Sequence, residues 1–464
     1  MKILFALLKV IFPLSAMGGD YNHYYTDLPV PMTEVSAPVI PDNKVLLSDF
    51  GAEGDGLMMC TEAFEKAVSA LTKQGGGHLI VPAGVWLTGP ITLKDNIDLH
   101  VERNAIILFS PDKKDAAKID AATGKPANRA TPGISASKRK NISITGEGTI
   151  DGNGKWWRPV KRSKVSDSEW SQFKSMGGTV TADGQLWYPF GLKHFDDVAD
   201  SPEEQERLRA HLIRLTDCEN VLLQGVTVQN SPRFHIVPQR CKNVIIDGVT
   251  VRCPWNAQNG DAIDIGNSCN VLIVNNVIDA GDDGICMKGG AGAEGQKNGP
   301  CENILIMHNK VYHAHGGFVI GSEFSGGMKN IVVRHNTFSG TDTGLRFKSA
   351  IGRGGKTENI FIDHIYMNDI KDEAIVFETT YWDNHAGATK KEEQTERVFV
   401  PDITDIHISD IVCRGAKTGI SAHGDKGMIH GITIRNATIF YTKTATDISE
   451  ECDIKMENVV MKTF

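Results

Sequence analysis

The feature that most constrains this chain is a short phrase, asparagine followed by alternating aliphatic and mostly β-branched residues, which returns along most of its length. It begins at Asn141 (NISITGEGTIDG), Asn220 (NVLLQGVTVQNSP), Asn243 (NVIIDGVTVRCPW), Asn270 (NVLIVNNVIDAGDD), Asn303 (NILIMHNKVYHAH), Asn330 (NIVVRHNTFSGTD) and Asn359 (NIFIDHIYMND), with weaker copies at Asp405 and Gly431. Between Asn220 and Asn359 the starts lie 23, 27, 33, 27 and 29 residues apart. Each unit holds short alternating stretches cut by Gly, Asn or Asp, and no helical period lies between them. Units without helices supply no βαβ crossovers, and propeller blades run to about 40–45 residues. The pattern therefore predicts an all-β chain, a right-handed parallel β-helix with one repeat per coil. Leu, Ile and Val stack inside it, and Asn ladders at the turns.

An open solenoid end is an unpaired strand edge and needs a cover. Residues 61–71 supply one. Thr61 is placed to act as N-cap, and Phe64, Ala67, Val68 and Leu71 fall at i, i+3, i+4 and i+7, the stripe of an amphipathic capping helix. The period breaks over about 155–207 and again over about 379–402, and long loops on a rigid scaffold commonly carry function. Lys2, the apolar run behind it and the small residues Ser15, Ala16, Gly18 and Gly19 read as an export signal over 1–18. That leaves 19–44 as an N-terminal extension and 45–464 as one domain, in a protein expected to be periplasmic or secreted and monomeric. No later stretch reaches the roughly 18 uninterrupted apolar residues of a membrane span.

Charge and cysteine content remove other classes. Lys plus Arg number 49 against 57 Asp plus Glu, a formal charge of −8, where a nucleic-acid binder carries a basic footprint. The nine cysteines are odd in number and show no CxxC, so neither a zinc site nor a dense disulfide framework is expected. They read chiefly as small core residues.

The chemistry concentrates in neighbouring coils. Aligning their second strands by the small–apolar pattern stacks Asp261-Ala-Ile-Asp264, Asp283-Gly-Ile-Cys286-Met-Lys288, Gly316-Gly-Phe-Val319 and Thr343-Gly-Leu-Arg346-Phe-Lys348. In this register Asp261 lies beside Asp283 and Asp282 beside His315. Arg346 shares the Asp264 column, and Lys348 that of Lys288. Coils about 4.8 Å apart put all eight residues in one patch about 10–15 Å across. Asp282 and Asp283 are adjacent and would point oppositely in a regular strand, so they are expected at a strand start, where Gly281 and Gly284 permit irregular backbone. Singly, an Asp near a turn or a His in a repeat is usually structural. Four carboxylates, an imidazole, an Arg and two Lys on one face are not explained that way.

These residues carry a family resemblance. Asn259-Gly260-Asp261, Gly281-Asp282-Asp283, His315-Gly316 and Arg346-Phe347-Lys348 resemble, in order, the NTD, G/QDD, HG and RIK signatures of the polygalacturonases, family 28 of the glycoside hydrolases. Gly260 and Phe347 depart from the pattern without removing a functional group. FGAEGDG (50–56), VPAGVWLTGPITL (81–93), GTIDGNGKWW (148–157), NSPRFHIVPQRCKNV (230–244) and GGFVIGSE (316–323) also match, so the resemblance covers about 45–460.

The resemblance implies inverting hydrolysis of α-galacturonosidic bonds in pectin. Asp282 would protonate the leaving oxygen, and Asp261 and Asp283 would activate water. Three crowded carboxyl groups resist full ionisation, which keeps a proton available, but the residues alone do not say which Asp holds it. His315 would hold the acid in place. Arg346 and Lys348, with Asp264 and Lys288 around them, would bind the substrate and its carboxylate. No metal and no cofactor is implied. The insertion at 155–207 brings Trp156, Trp157, Trp170, Trp187, Tyr188 and Phe190, and the second loop brings Tyr381 and Trp382. If the two loops wall off one end of the groove, exo action follows, as in the bacterial exo-acting members that the chain resembles. The aromatics would either stack on sugar or pack the loop down. A rhamnogalacturonan-type hydrolase of the same family, a Ca-dependent pectate lyase and a non-catalytic glycan-binding solenoid are the alternatives.

Overall fold

The structure is a computed structural model, and it describes residues 20–116, 130–189, 206, 209–381 and 398–464. The expected export signal, Phe190, Trp382 and most of the second loop lie outside the described residues. Twenty-nine strands form one continuous sheet, and every pairing between them is parallel. Each coil adds a strand to the matching strand of the coil before it. The repeat therefore winds as the sequence predicts, into a right-handed parallel β-helix.

Alternation with period 2 sends one set of aliphatic residues inward. Ile213, Ile236, Ile263, Ile285, Phe318, Leu345 and Ile375 stack in one interior column, every one of them inaccessible. At the turns the Asn residues of the repeated phrase adopt left-handed backbone, which Asn tolerates better than most residues. Their side chains form the expected ladder. Each amide donates to the carboxamide oxygen of the coil before, from Asn141 through Asn220, Asn243, Asn270, Asn303 and Asn330 to Asn359, at 2.9–3.2 Å.

The capping helix is α1 (Thr61–Lys73), and Phe64, Ala67, Val68 and Leu71 are all buried against the first coils. Thr61 is not its N-cap. Cys60 takes that position, and the Thr61 hydroxyl instead accepts the Gly89 N–H at 2.7 Å, tying the helix to the next strand turn. The extension has a role that the pattern did not show. Tyr21, Val35 and neighbouring apolar residues lie over Leu222, Ile245, Leu272, Leu305 and Val332, which point outward from successive coils. All nine cysteines are free thiols, seven of them buried.

The described part of the insertion, up to residue 189, is a small folded unit. Val160–Lys161, Thr179–Val180 and Leu186–Tyr188 make an antiparallel three-stranded sheet. Helix α2 (Asp167–Ser175), closed by a Ser166/Glu169 capping box, packs on it through Trp170 and Phe173 against Trp187. Trp157, Trp170, Trp187 and Tyr188 are at most 8% exposed. These aromatics hold the insertion down; they do not offer faces to a sugar.

Candidate active site

Six strands of one face carry the site: β1 (Ile236–Gln239), β2 (Ile263–Gly266), β3 (Ile285–Lys288), β4 (Gly316–Gly321), β5 (Thr343–Lys348) and β6 (Glu373–Glu378). Their register places Asp264, Cys286, Val319, Arg346 and Val376 in one column, and Lys288 two residues along in the column of Lys348. Asp261 and Asp283 sit two residues before β2 and β3, and the Asp282 carbonyl accepts the His315 N–H at 2.8 Å. All eight expected residues are brought together in the predicted columns.

Asp282 and Asp283 do precede the strand, but glycine is needed here for a different reason. Neither Gly281 nor Gly284 has positive φ. A Cβ on Gly281 would lie 2.6 Å from the Ala257 and Pro254 carbonyl oxygens, and one on Gly284 would lie 2.9 Å from Val311. Close approach between coils excludes a side chain, and both carboxylates then reach one site. Oxygens of Asp261, Asp282 and Asp283 lie within 4.8 Å of one another.

Each carboxylate has its own surroundings. The Asp282 Oδ1 accepts the Asp283 N–H at 3.0 Å and lies 3.0 Å from His315 Nδ1. Asp283 pairs through Oδ2 with Lys348 Nζ at 2.7 Å, and Arg346 stands 3.7 Å from its Oδ1. Lys288 Nζ is 3.8 Å from Asp264 and 4.0 Å from Asp283, and it donates to the Gly321 carbonyl at 3.0 Å. Asp261 Oδ1, Asp283 Oδ1 and both oxygens of Asp264 have no hydrogen bond.

Electrostatics split the group. Burial, then the nearby Asp264 and Asp282, push the Asp261 carboxyl well above its usual range. Burial, opposed by Lys288 and reinforced by Asp283 and Asp282, raises Asp264 to about 7. Burial acts on Asp282 as well, but His315, Lys348 and Lys164 outweigh it and hold that carboxyl well below the ordinary value. Lys348 does the same for Asp283. The four carboxylates titrate as one coupled set, in which a proton is favoured on Asp261 and Asp264 over Asp282 and Asp283.

Several participants were invisible to the sequence reading. His235 is fully buried; its Nδ1 sits 2.8 Å from the Asp261 carbonyl and its Nε2 accepts the Ser231 N–H at 3.2 Å. It therefore donates through Nδ1 and clamps the backbone of Asp261, and burial lowers its pKa to about 4, keeping it neutral. The inaccessible Arg209 donates to the Pro232 and Gln258 carbonyls and to Asn259 Oδ1, fixing the turn that presents Asp261. Tyr381, by contrast, is named by the sequence on the second loop, and its ring lies 5.3 Å from the Arg346 guanidinium and 5.0 Å from Lys348 Nζ. Lys164 reaches in from the insertion to the Gly281 carbonyl and to His315 Nε2, each at 3.1 Å. Only burial and cross-coil contacts mark His235, Arg209 and Lys164, and neither shows in a linear pattern.

A parallel β-helix with paired carboxylates, an imidazole and an Arg/Lys pair on one sheet face is a carbohydrate-cleaving site of the glycosidase class. Comparison with known proteins assigns it: residues 160–456 match the model of Glycosyl hydrolases family 28, and the chain belongs to that family. It is 30% identical to an exo-poly-α-D-galacturonosidase of Dickeya chrysanthemi over 90% of this chain and 71% of that one. It is 28% identical to a probable polygalacturonase of Vitis vinifera over 97% and 84%. Among solved structures, a hyperthermoactive exopolygalacturonase of Thermotoga maritima superposes with a TM-score of 0.75 at 33% identity, covering 92% of this chain and 94% of that one. The protein is a glycoside hydrolase of the polygalacturonase family. Among the described residues, no helix is long and apolar enough to cross a membrane.

Proposed function

We propose that the protein is an inverting, exo-acting hydrolase of α-galacturonosidic bonds in (1→4)-linked galacturonan or pectic oligosaccharides. The observation that carries this is the carboxylate trio packed beside Arg346 and Lys348 in the order of the family signatures. Asp282 is the general acid, Asp261 and Asp283 position and activate water, and His315 holds Asp282. Arg346, Lys348, Lys288 and Asp264 shape the subsite for a uronic acid.

In the free site Asp282 is ionised, so it gains its proton when substrate binds. Two changes drive this. A uronate placed beside Asp282 repels its negative charge, and the expelled water removes solvation that favours the ion. The proton on Asp261 is the nearest source. Moving it to Asp282 leaves Asp261 and Asp283 as the carboxylate pair that water activation needs. The spacing of the trio is below the roughly 6.5–9.5 Å usual in inverting enzymes, so support for inversion comes from the family pattern alone. The Dickeya and Thermotoga relatives, both named for exo action, support the exo mode. So does the insertion, which contacts the catalytic imidazole at one side of the groove.

A calcium-assisted lyase fits less well. Although the trio has the geometry of a cation cluster, Lys348, Lys288 and Arg346 already surround Asp283 and would repel a divalent ion. The apolar run after Lys2 supports a periplasmic or secreted location. The test is product analysis on defined oligogalacturonides, with NMR of the first anomer formed. Monomer or very short products from the first minutes, in the β configuration, with full turnover in EDTA, are expected. An α product would overturn inversion, a ladder of intermediate oligomers would overturn exo action, and an unsaturated product would overturn hydrolysis.

A further inference from the structure

Lys164 reaches from the insertion into the catalytic constellation, and neither the family signatures nor the repeat contains it. It sits on the tight turn Arg162–Lys164, at the end of one insertion strand and two residues before the Ser166 cap of α2. Arg162 steadies this turn, pairing with Asp167 and lying over the Trp170 ring. The Lys164 ammonium is thus held by a folded unit, aimed between the Gly281 carbonyl and His315 Nε2.

An ammonium has only donors. At 3.1 Å from Lys164 Nζ, His315 Nε2 must accept, so the ring proton stands on Nδ1, which faces Asp282 Oδ1 at 3.0 Å. Oδ1 also accepts the Asp283 N–H, which leaves Asp282 Oδ2 as the oxygen free to carry a transferable proton. We propose that Lys164 is a positioning residue of the active site: by donating to His315 Nε2 it fixes the imidazole as the neutral Nδ1–H tautomer that orients Asp282. The proposal rests on the assignment of Asp282 and His315 made above, and it gives the insertion a part in the chemistry beyond walling the groove.

The groups facing His315 come from three elements. They are Asp282 before β3, Asp342 before β5 with Oδ2 at 3.8 Å from Nε2, and Lys164 from the insertion. Lys371 holds the other oxygen of Asp342 at 3.1 Å. Burial lowers the Lys164 pKa, opposed by the charges of Asp282, Asp342 and Asp261 and reinforced by Lys161. With the lysine removed, Nε2 is free to take the ring proton, facing Asp342 Oδ2 at 3.8 Å. A bare Nδ1 then faces Asp282 Oδ1 and donates nothing to it, so the acid loses its orientation.

The test compares Lys164→Met and Lys164→Arg with the wild type, using the 15N NMR shifts of the His315 ring, which tell the two tautomers apart, and kcat and KM. In the wild type the ring proton is expected on Nδ1, and in Lys164→Met a share of it on Nε2, since the donor that fixed it is gone. The kcat of that variant is expected to fall about tenfold, with KM nearly unchanged. Lys164→Arg keeps a cationic donor and should regain most of the loss. Unchanged His315 ring shifts in Lys164→Met overturn the proposal. A loss not relieved by Arg also overturns it, because the lysine would then only anchor the insertion. If the assignment of Asp282 is itself at fault, Asp282→Asn stays active, while the His315 ring shifts still report on Lys164.

Discussion

Two buried polar stacks run through the same coils, and they are built on opposite rules. Asn276, Asn309 and Asn336 lie inside the solenoid with at most 1% exposure. In this stack each amide group donates to a backbone carbonyl of the coil before, and each carboxamide oxygen of Asn309 and Asn336 accepts from the preceding Asn. Asp261, Asp264 and Asp283 are buried almost as fully, yet four of their oxygens lack a hydrogen bond. A satisfied buried network specifies the fold; an unsatisfied one stores unfavourable energy for a ligand to relieve. The interior amides are completed by the chain itself, whereas these carboxylate oxygens have no hydrogen bond from another group of the protein.

The sharpest way to break the comparison is at Asp282, the proposed acid. Asp282→Asn keeps shape and hydrogen-bonding capacity but has no proton to transfer, so kcat should fall about 10²–10⁴-fold. Oligogalacturonide binding measured by calorimetry should persist. A variant with half of the wild-type kcat would remove Asp282 from the chemistry. At the other stack, Asn309→Ala should leave activity per folded molecule unchanged but lower stability. It orphans the Asn276 N–H and amide and the Ile273 carbonyl at once, a loss of about 3 kcal/mol or more at roughly 1–3 per buried group. A melting temperature within a degree of wild type would show that water replaces the ladder.

The cations sharpen the comparison further, because they differ in how they are already engaged. Arg346 approaches Asp283 only to 3.7 Å and stays half-buried, whereas Lys348 is 4% exposed and paired to that carboxylate at 2.7 Å. Arg346→Ala should therefore weaken kcat/KM on free-carboxylate substrate about 10–100-fold and on methyl-esterified substrate much less, the loss of one charged hydrogen bond. Lys348→Ala should weaken both, since it also unpairs Asp283. Equal losses in Arg346→Ala would show that the arginine serves Asp283 alone.

The difference between the stacks also explains what was legible in the sequence. Period and columns follow from a repeat that names its own register, so Asp261 beside Asp283 and Arg346 in line with Asp264 could be read from the letters. The outer Asn ladder was legible because Asn opens each of the seven stronger repeats. The inner ladder was not: Asn276, Asn309 and Asn336 lie in variable turns, and only burial distinguishes them from solvated Asn. Lys164, His235 and Arg209 act across coils or from an aperiodic insertion, where sequence distance carries no spatial information. Thr61 has the right chemistry for a cap but is taken by Gly89, a contact from 28 residues away.

The smallest expected effect tests the frustration directly. Asp264 is buried with neither oxygen hydrogen-bonded and its pKa raised to about 7. In the unfolded chain an Asp titrates near 3.9. Between those values the folded state binds the proton and the unfolded state does not, so this group stabilises below about pH 4, and its contribution is lost as pH rises to about 7. Asp261, also raised, acts in the same sense. Asp282 and Asp283, held low, change stability only below the unfolded value and do not enter this window. The wild-type melting temperature should thus decline from pH 5 to pH 8 through these two groups, and Asp264→Asn should flatten part of that slope. The amide is neutral at both ends, and Lys288 keeps its bond to the Gly321 carbonyl. Calorimetric scans of both proteins across the window decide the matter: a slope unchanged by the substitution would mean that Asp264 is ionised and paired with Lys288 throughout, and that the charged stack is less frustrated than its missing hydrogen bonds imply.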